Sequence, residues 1–205
     1  GDRCMFIDDK GEYISADLIT ALVGIEIAGK GDTVLFDLRS SKIVPEFLES
    51  KGIITKMCRV GHAFIKSQMR DHKSVFAGEL SGHFYYKDSF FTESSAITTI
   101  LISNLVSSKA KKLSELIMTL KKYVASGEIN SEVEDKQKVI KELIEKYKAD
   151  SDKFYELDGI SFEFDGWWFN VRPSNTEPKL RLNLEANDKD LMEKKRDEVL
   201  AIIRK

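Results

Sequence analysis

The sequence predicts an α/β protein: an α/β sheet domain with flanking helices, followed by a small α+β domain with an antiparallel sheet. Three observations carry this expectation. From residue 15 to residue 58, apolar strand-like runs alternate with amphipathic helical stretches, the rhythm of a right-handed βαβ unit. Beyond residue 126 the rhythm changes to strands in succession, two of them joined by the hairpin turn Asp165-Gly166. The chain has 205 residues, 42% apolar and 32% charged, which is globular composition and enough length for two cores. The expected domains are 1–125 and 126–205.

Taken in order, Cys4-Met5-Phe6-Ile7 reads as a short strand that turns at 8–11. Ser15 is placed to cap a helix running to about Ala28, with Leu18, Leu22 and Ile25 on one face and Gly29 and Gly31 ending it. Thr33-Val34-Leu35-Phe36 is a continuous apolar run of the kind buried in a parallel sheet. A helix over about 42–50 tolerates Pro45 near its first turn, and 53–57 supplies the next strand. Ser74-Val75-Phe76-Ala77 reads as a further buried strand. Phe84-Tyr85-Tyr86 and Phe90-Phe91 read as an aromatic excursion packed into core and loop, and Thr92 as the start of a long helix through Leu105. Lys109 to Lys112 is a solvated linker, and a helix from Leu113 fades near Val124. In the second domain a strand over 128–133 precedes an amphipathic helix over 136–148. Strands at 160–164 and 167–171 follow. A third alternates Leu180, Leu182 and Leu184 with Arg181, Asn183 and Glu185, which predicts one wet face. Leu191 to Ile203 closes the chain as a helix.

The formal charge of −2 gives no basis for a nucleic-acid or anionic-membrane surface, and no run approaches a membrane span or a signal peptide. Cys4 and Cys58 are isolated and lack metal-ligand spacing, which points to reduced thiols in a cytoplasmic protein. A chain that opens on Gly1-Asp2-Arg3 and runs straight into a strand looks cut.

Three stretches concentrate chemistry. Gly78-Glu79-Leu80-Ser81-Gly82-His83 sets a carboxylate, a hydroxyl and an imidazole between two glycines, a combination able to grip vicinal hydroxyls and move a proton. An ordinary strand-to-loop turn is the plain alternative. The segments ending at Arg39 and His62 should emerge on the same carboxyl-terminal rim of the sheet. Arg172-Pro173-Ser174-Asn175-Thr176 gathers a guanidinium, two hydroxyls and an amide, donors that suit a phosphate dianion, although turn chemistry alone also selects Pro, Ser and Asn.

The 78–83 stretch resembles the sugar-binding loop of the α-D-phosphohexomutases, in particular the phosphomannomutase/phosphoglucomutase branch. Gly1-Asp2-Arg3, Gly61-His62-Ala63-Phe64-Ile65-Lys66 and Arg172-Pro173-Ser174-Asn175-Thr176-Glu177-Pro178 match the same family in the same order. The resemblance covers the C-terminal two of four domains. It implies reversible exchange between hexose 1-phosphate and hexose 6-phosphate, mannose or glucose, through a bisphosphate intermediate. It also implies a magnesium ion, with Asp2 as the last of three metal aspartates. Glu79 and Ser81 would bind the sugar, and Arg172, Ser174, Asn175 and Thr176 the phosphate that is not transferred. His83, His62, Arg39 and Arg3 would handle protons and charge at the reacting end. The phosphoserine domain is absent from this stretch, so the implied partners include missing N-terminal domains of the same chain, and the 205 residues alone are expected to be inactive. A phosphoglucosamine mutase is an alternative that Leu80 disfavours, because that branch usually has a polar residue there. A non-catalytic phosphosugar-binding module is an alternative of another class.

Overall fold

In the computed structural model, which describes residues 1–174 and 176–205, the chain divides into two units, 1–122 and 123–205. The first opens with β1 (Phe6–Ile7) and β2 (Tyr13–Ile14), an antiparallel pair. Asp8 shapes their turn by accepting the N–H groups of Lys10 and Glu12 at 2.8 and 3.0 Å. Helix α1 (Ala16–Ile27) starts after Ser15 as expected, but the Ser15 side chain makes no cap bond. The N–H it would take, that of Leu18, is bonded to Asp17 Oδ1 at 2.8 Å.

The parallel unit forms from β3 (Thr33–Asp37), α2 (Ile43–Glu49), β4 (Ile54–Cys58), α3 (His62–Asp71) and β5 (Phe76–Gly78). Strand β3 lies between β4 and β5 and is parallel to both. Strand β5 turns back into β6 (Phe84–Tyr86), and β6 pairs with the edge strand β7 (Thr92–Glu93), giving the order β4-β3-β5-β6-β7. The aromatic stretch expected as an excursion is therefore a strand, buried along its length. Helix α4 (Ser95–Lys109) begins three residues after Thr92, because Thr92 and Glu93 pair with β6 and Ser94 caps the helix by accepting the Ile97 N–H. Helix α5 (Leu113–Met118) ends the unit.

The pleat decides which helix meets which face. Leu35 and Ala77 pack with Ile65 and Met69 of α3. Gly78, one residue on, faces α1 so closely that a Cβ would lie 2.0 Å from Thr20 Oγ1. Glycine is required there by the helix rather than by the turn.

The second unit contains β8 (Val124–Ala125), β9 (Ile129–Glu132), α6 (Lys136–Tyr147), β10 (Lys153–Tyr155), β11 (Ile160–Phe164), β12 (Trp167–Pro173), β13 (Lys179–Ala186) and α7 (Lys189–Ile203). The sheet is antiparallel, ordered β10-β11-β12-β13-β8, with β9 also paired to β13. Leu143 and Tyr147 from α6 and Val199 and Leu200 from α7 join Phe162, Phe169, Leu182 and Leu184 in its core. Two short strands, β8 and β10, were not expected. The wet face foreseen for β13 is also absent around Asn183 and Glu185, both buried. Glu185 is satisfied there by the Trp168 indole N–H at 2.9 Å. No helix is long and apolar enough to cross a membrane among the described residues.

Candidate functional site

The loop 78–83 closes the β5–β6 hairpin. Glu79 N–H donates to the His83 carbonyl at 2.9 Å and Gly82 N–H to the Glu79 carbonyl at 3.0 Å. Gly82 has φ +84°, and a Cβ there would lie 3.0 Å from the Cys4 carbonyl, so only glycine fits without strain. The segment before β1 docks on this loop through Cys4 N–H to the Gly82 carbonyl, 2.8 Å, and Ser95 Oγ donates to the Gly1 carbonyl at 2.6 Å. Those two bonds carry Asp2 to the loop.

Below the loop lies a frame of buried charge. Asp37, at the end of β3, accepts the Arg39 backbone N–H at 2.7 Å, Arg39 Nε at 3.2 Å and an Arg39 terminal nitrogen at 2.7 Å. The same carboxylate accepts the Leu80 N–H at 2.7 Å, tying β3 to the middle of the loop. Glu79, 2% exposed, turns inward. Its Oε2 accepts the Tyr85 hydroxyl at 2.7 Å and its Oε1 the Gly61 N–H at 3.2 Å. Burial, before the hydrogen bond and charge of Glu79, holds the Tyr85 phenol well above its ordinary range, so it stays a donor.

The two histidines meet above this frame, ring centroids 4.4 Å apart and edge to face. His83 Nδ1 lies 2.9 Å from Ser81 Oγ and 3.3 Å from Glu79 Oε2. Carboxylates, which can only accept, stand at both ring nitrogens, Glu79 at Nδ1 and Asp2 Oδ2 at 3.5 Å from Nε2, and the shorter contact to the buried Glu79 favours the proton on Nδ1. His62, first residue of α3, faces Glu93 Oε1 with its own Nδ1, and the same reasoning leaves its Nε2 bare. Burial on its own would raise the Glu93 carboxyl, but hydrogen bonds from Lys66, its own backbone and His62 outweigh burial and hold it below the usual range. Lys66 Nζ donates to Glu93 Oε2 at 2.7 Å. Burial pushes the His83 imidazole below its ordinary value; Glu79 and Asp2 pull it up, and His62 and Arg3 push it further down. Arg3 is itself exposed. Asp2 Oδ2 sits 3.5 Å from His83 Nε2, and Asp2, His62 and His83 bring one potential metal-ligand atom each within 4.8 Å of the others.

The first unit thus assembles Asp2, His62, Glu79, Ser81 and His83 in one cluster, with Arg39 joined to it through Asp37. Sequence reasoning missed Asp37, Tyr85, Glu93 and Lys66 as members. Only Asp37, an acid ending a buried apolar run two residues before Arg39, left a signal.

In the second unit Arg172 and Arg181 are cross-strand partners on β12 and β13. Both reach Glu128, at 3.3 and 3.4 Å; Arg172 also approaches Asp158 at 3.9 Å and Arg181 approaches Glu177 at 3.8 Å. The Nε atoms of both arginines are buried with no hydrogen-bond partner among the described residues. Ser174 is buried, its N–H bonded to the Lys179 carbonyl at 2.9 Å and its carbonyl to Lys136 Nζ at 2.8 Å. Thr176 is exposed, and Asn175 lies outside the described residues. Arg181 and Lys136 are the additions to the set expected from sequence.

Two family models match: "Phosphoglucomutase/phosphomannomutase, alpha/beta/alpha domain III" over residues 11–123 and "Phosphoglucomutase/phosphomannomutase, C-terminal domain" over 128–202. A phosphomannomutase of Methanocaldococcus jannaschii is 45% identical over 207 residues, covering 100% of this chain and 46% of the relative. The chain thus spans about half the length of the curated relatives it matches. Among solved structures, a phosphoglucomutase/phosphomannomutase family protein from Burkholderia thailandensis superposes with TM-score 0.84 at 24% identity, covering 98% of this chain and 44% of that one. An N-acetylphosphoglucosamine mutase of Aspergillus fumigatus, solved with GlcNAc-6P and magnesium, superposes with TM-score 0.66 at 13% identity, covering 98% and 49%. The chain belongs to the phosphoglucomutase/phosphomannomutase family, of which it carries domain III and the C-terminal domain.

Proposed function

We propose that this chain is the sugar- and phosphate-recognising part of a phosphohexomutase that interconverts hexose 1-phosphate and hexose 6-phosphate of mannose or glucose. The observation that supports this most is the 78–83 loop, where a carboxylate, a hydroxyl and two imidazoles share one hydrogen-bonded frame. Ser81 Oγ takes a sugar hydroxyl, and Glu79, held inward by the Gly61 N–H and the Tyr85 hydroxyl, reaches one by turning out of that frame. Arg172, Arg181, Ser174, Asn175 and Thr176 hold the phosphate that is not being transferred, the two neighbouring guanidinium groups meeting it as charged donors.

A phosphoserine in the rest of the protein passes its phosphoryl group to the sugar hydroxyl, and the serine oxygen released takes up a proton there that it gives back on rephosphorylation. His83 or His62 Nε2 takes the proton that the hydroxyl loses, and Arg39 and Arg3 offset the charge. The bisphosphate then turns over, its other phosphoryl group returns to the serine, and the proton goes back to the sugar oxygen released. Magnesium takes about six oxygen ligands. Asp2 offers carboxylate oxygens, but the neighbouring donors are imidazoles, so these residues do not by themselves fit magnesium and no step here runs through it. The ion that the resemblance implies would draw its other ligands from the rest of the protein. The two free thiols, Cys4 and Cys58, suit a cytoplasmic location.

The test is an assay of the whole protein that carries this chain, with Mg²⁺ and mannose 1-phosphate or glucose 1-phosphate, beside the 205-residue chain and Arg172→Ala. Turnover by the whole protein only, with kcat/KM roughly 10- to 100-fold lower in Arg172→Ala, is expected for loss of a charged hydrogen bond. Tight phosphosugar binding without turnover by the whole protein would replace the mutase with a binding module.

A further inference from the structure

The cluster of Asp2, His62 and His83 has a donor set of its own, two imidazoles and a carboxylate. That combination suits zinc-like transition-metal dications and is a poor match for magnesium. One ligand atom from each residue already lies within 4.8 Å of the others, and His83 Nε2 and Asp2 Oδ2 are 3.5 Å apart. Neighbouring ligands of a tetrahedral zinc ion stand about 3.3 Å apart, so the three need to close by at most about 1.5 Å. His83 is fixed in the fold, while the side chains of His62 and Asp2 are 43% and 61% exposed and have room to rotate.

The groups behind the ligands strengthen the case. Metal-bound histidines usually donate their second ring N–H to a carboxylate or another acceptor, which fixes the tautomer and turns the lone pair toward the ion. Both histidines have such a partner: Glu93 behind His62, with Lys66 behind Glu93 in turn, and Ser81 with Glu79 behind His83. Asp2 is brought to the third corner by the Cys4–Gly82 and Ser95–Gly1 bonds.

We infer that Asp2, His62 and His83 form a binding site for one transition-metal dication of the zinc class, with at least one coordination position open to water or an anionic oxygen. The inference concerns this chain's own residues and stands whether or not the mutase reading holds. In the mutase, Asp2 is also the carboxylate that the resemblance gives to magnesium, so an ion here would compete with magnesium for Asp2 and tie up both imidazoles needed for proton transfer.

The test is a titration of the 205-residue chain with Co²⁺, followed by its visible absorption, with Zn²⁺ and Mg²⁺ as competitors. One equivalent of Co²⁺ should bind with the intense bands of low-coordinate cobalt, Zn²⁺ should displace it, and a hundredfold excess of Mg²⁺ should not. His62→Ala and Asp2→Asn should each abolish the bands, and Glu93→Gln, which leaves all three ligands in place, should weaken affinity about 10- to 100-fold. Circular dichroism of each variant separates loss of the site from loss of the fold, and ring-nitrogen NMR of the unaltered chain with Zn²⁺ should shift Nε2 of His62 and His83. No band, displacement by Mg²⁺, or cobalt bands unchanged in His62→Ala and Asp2→Asn would overturn the assignment.

Discussion

The two clusters handle charge in opposite ways. Around the 78–83 loop the ions are buried and tightly matched: Asp37 meets Arg39 at 2.7 Å and the Leu80 N–H at 2.7 Å, and Glu79 meets the Tyr85 hydroxyl at 2.7 Å. Around Arg172 and Arg181 the pairs are longer, 3.3 to 3.9 Å, and two guanidinium N–H groups are left without a partner among the described residues. A matched frame fixes geometry and presents neutral, orientable groups, which suits sugar hydroxyls and proton transfer. In the looser one two arginines share Glu128, Asp158 and Glu177, and on the proposed function it would exchange some of those long pairs for a dianion. That proposal sets preorganised sugar recognition and looser phosphate recognition in different units of one chain.

The largest expected effect comes from removing the carboxylate that organises the first frame. Asp37→Ala removes the buried carboxylate that holds the Arg39 guanidinium and accepts the Leu80 N–H, and should cost about 3–5 kcal/mol. Amide hydrogen exchange in β3 and β5 reads that loss. Gly78→Ala should cost about 1–3 kcal/mol through the clash with Thr20, and Thr20→Ala should recover much of it in a double-mutant cycle of unfolding free energies. Full additivity would show that α1 does not set the position of the loop.

The matching experiment in the second unit should be mild. Glu128→Gln removes a carboxylate from two long, partly exposed pairs and should cost no more than about 1 kcal/mol, while binding of inorganic phosphate tightens. Trp167 and Trp168 both lie in this unit, so their fluorescence follows its unfolding. A penalty equal to that of Asp37→Ala would erase the contrast.

The smallest effect is pH-linked and belongs to the first unit, which holds all three histidines. His83 titrates below its ordinary 6.5 in the fold, so as the pH falls the unfolded chain binds the proton first. The stability of this unit should be undiminished above pH 6.5, decline as the pH drops from 6.5 toward the folded value, and level off beneath it. His83→Gln should flatten that slope, measured by thermal unfolding across the window.

What was legible in the sequence were the features that local pattern encodes. The apolar run Thr33 to Phe36 announced a buried parallel strand because both its faces are covered, and Asp165-Gly166 announced a hairpin through its turn chemistry. Phe84-Tyr85-Tyr86 hid a strand because three buried aromatics show no alternation, and two-residue strands such as Thr92–Glu93 and Val124–Ala125 are too short to show a period. Asn183 and Glu185 imitated a wet face, since nothing nearby in sequence reveals that the Trp168 indole waits on the next strand. The site divides in the same way. Residues within six positions of one another in the 78–83 stretch could be seen together, whereas the bond from Leu80 to Asp37 spans 43 residues and the contact from His62 to Glu93 spans 31. Partners that only the fold brings together leave little local trace.

The most direct test of the proposed division of labour is a pair of residue-resolved NMR titrations of the 205-residue chain, one with mannose and one with inorganic phosphate. The account predicts that mannose shifts the amide signals of Leu80, Ser81 and Gly82 and that phosphate shifts those of Arg172, Ser174 and Thr176. Phosphate acting on the 78–83 amides and leaving those of Arg172, Ser174 and Thr176 unmoved would contradict it.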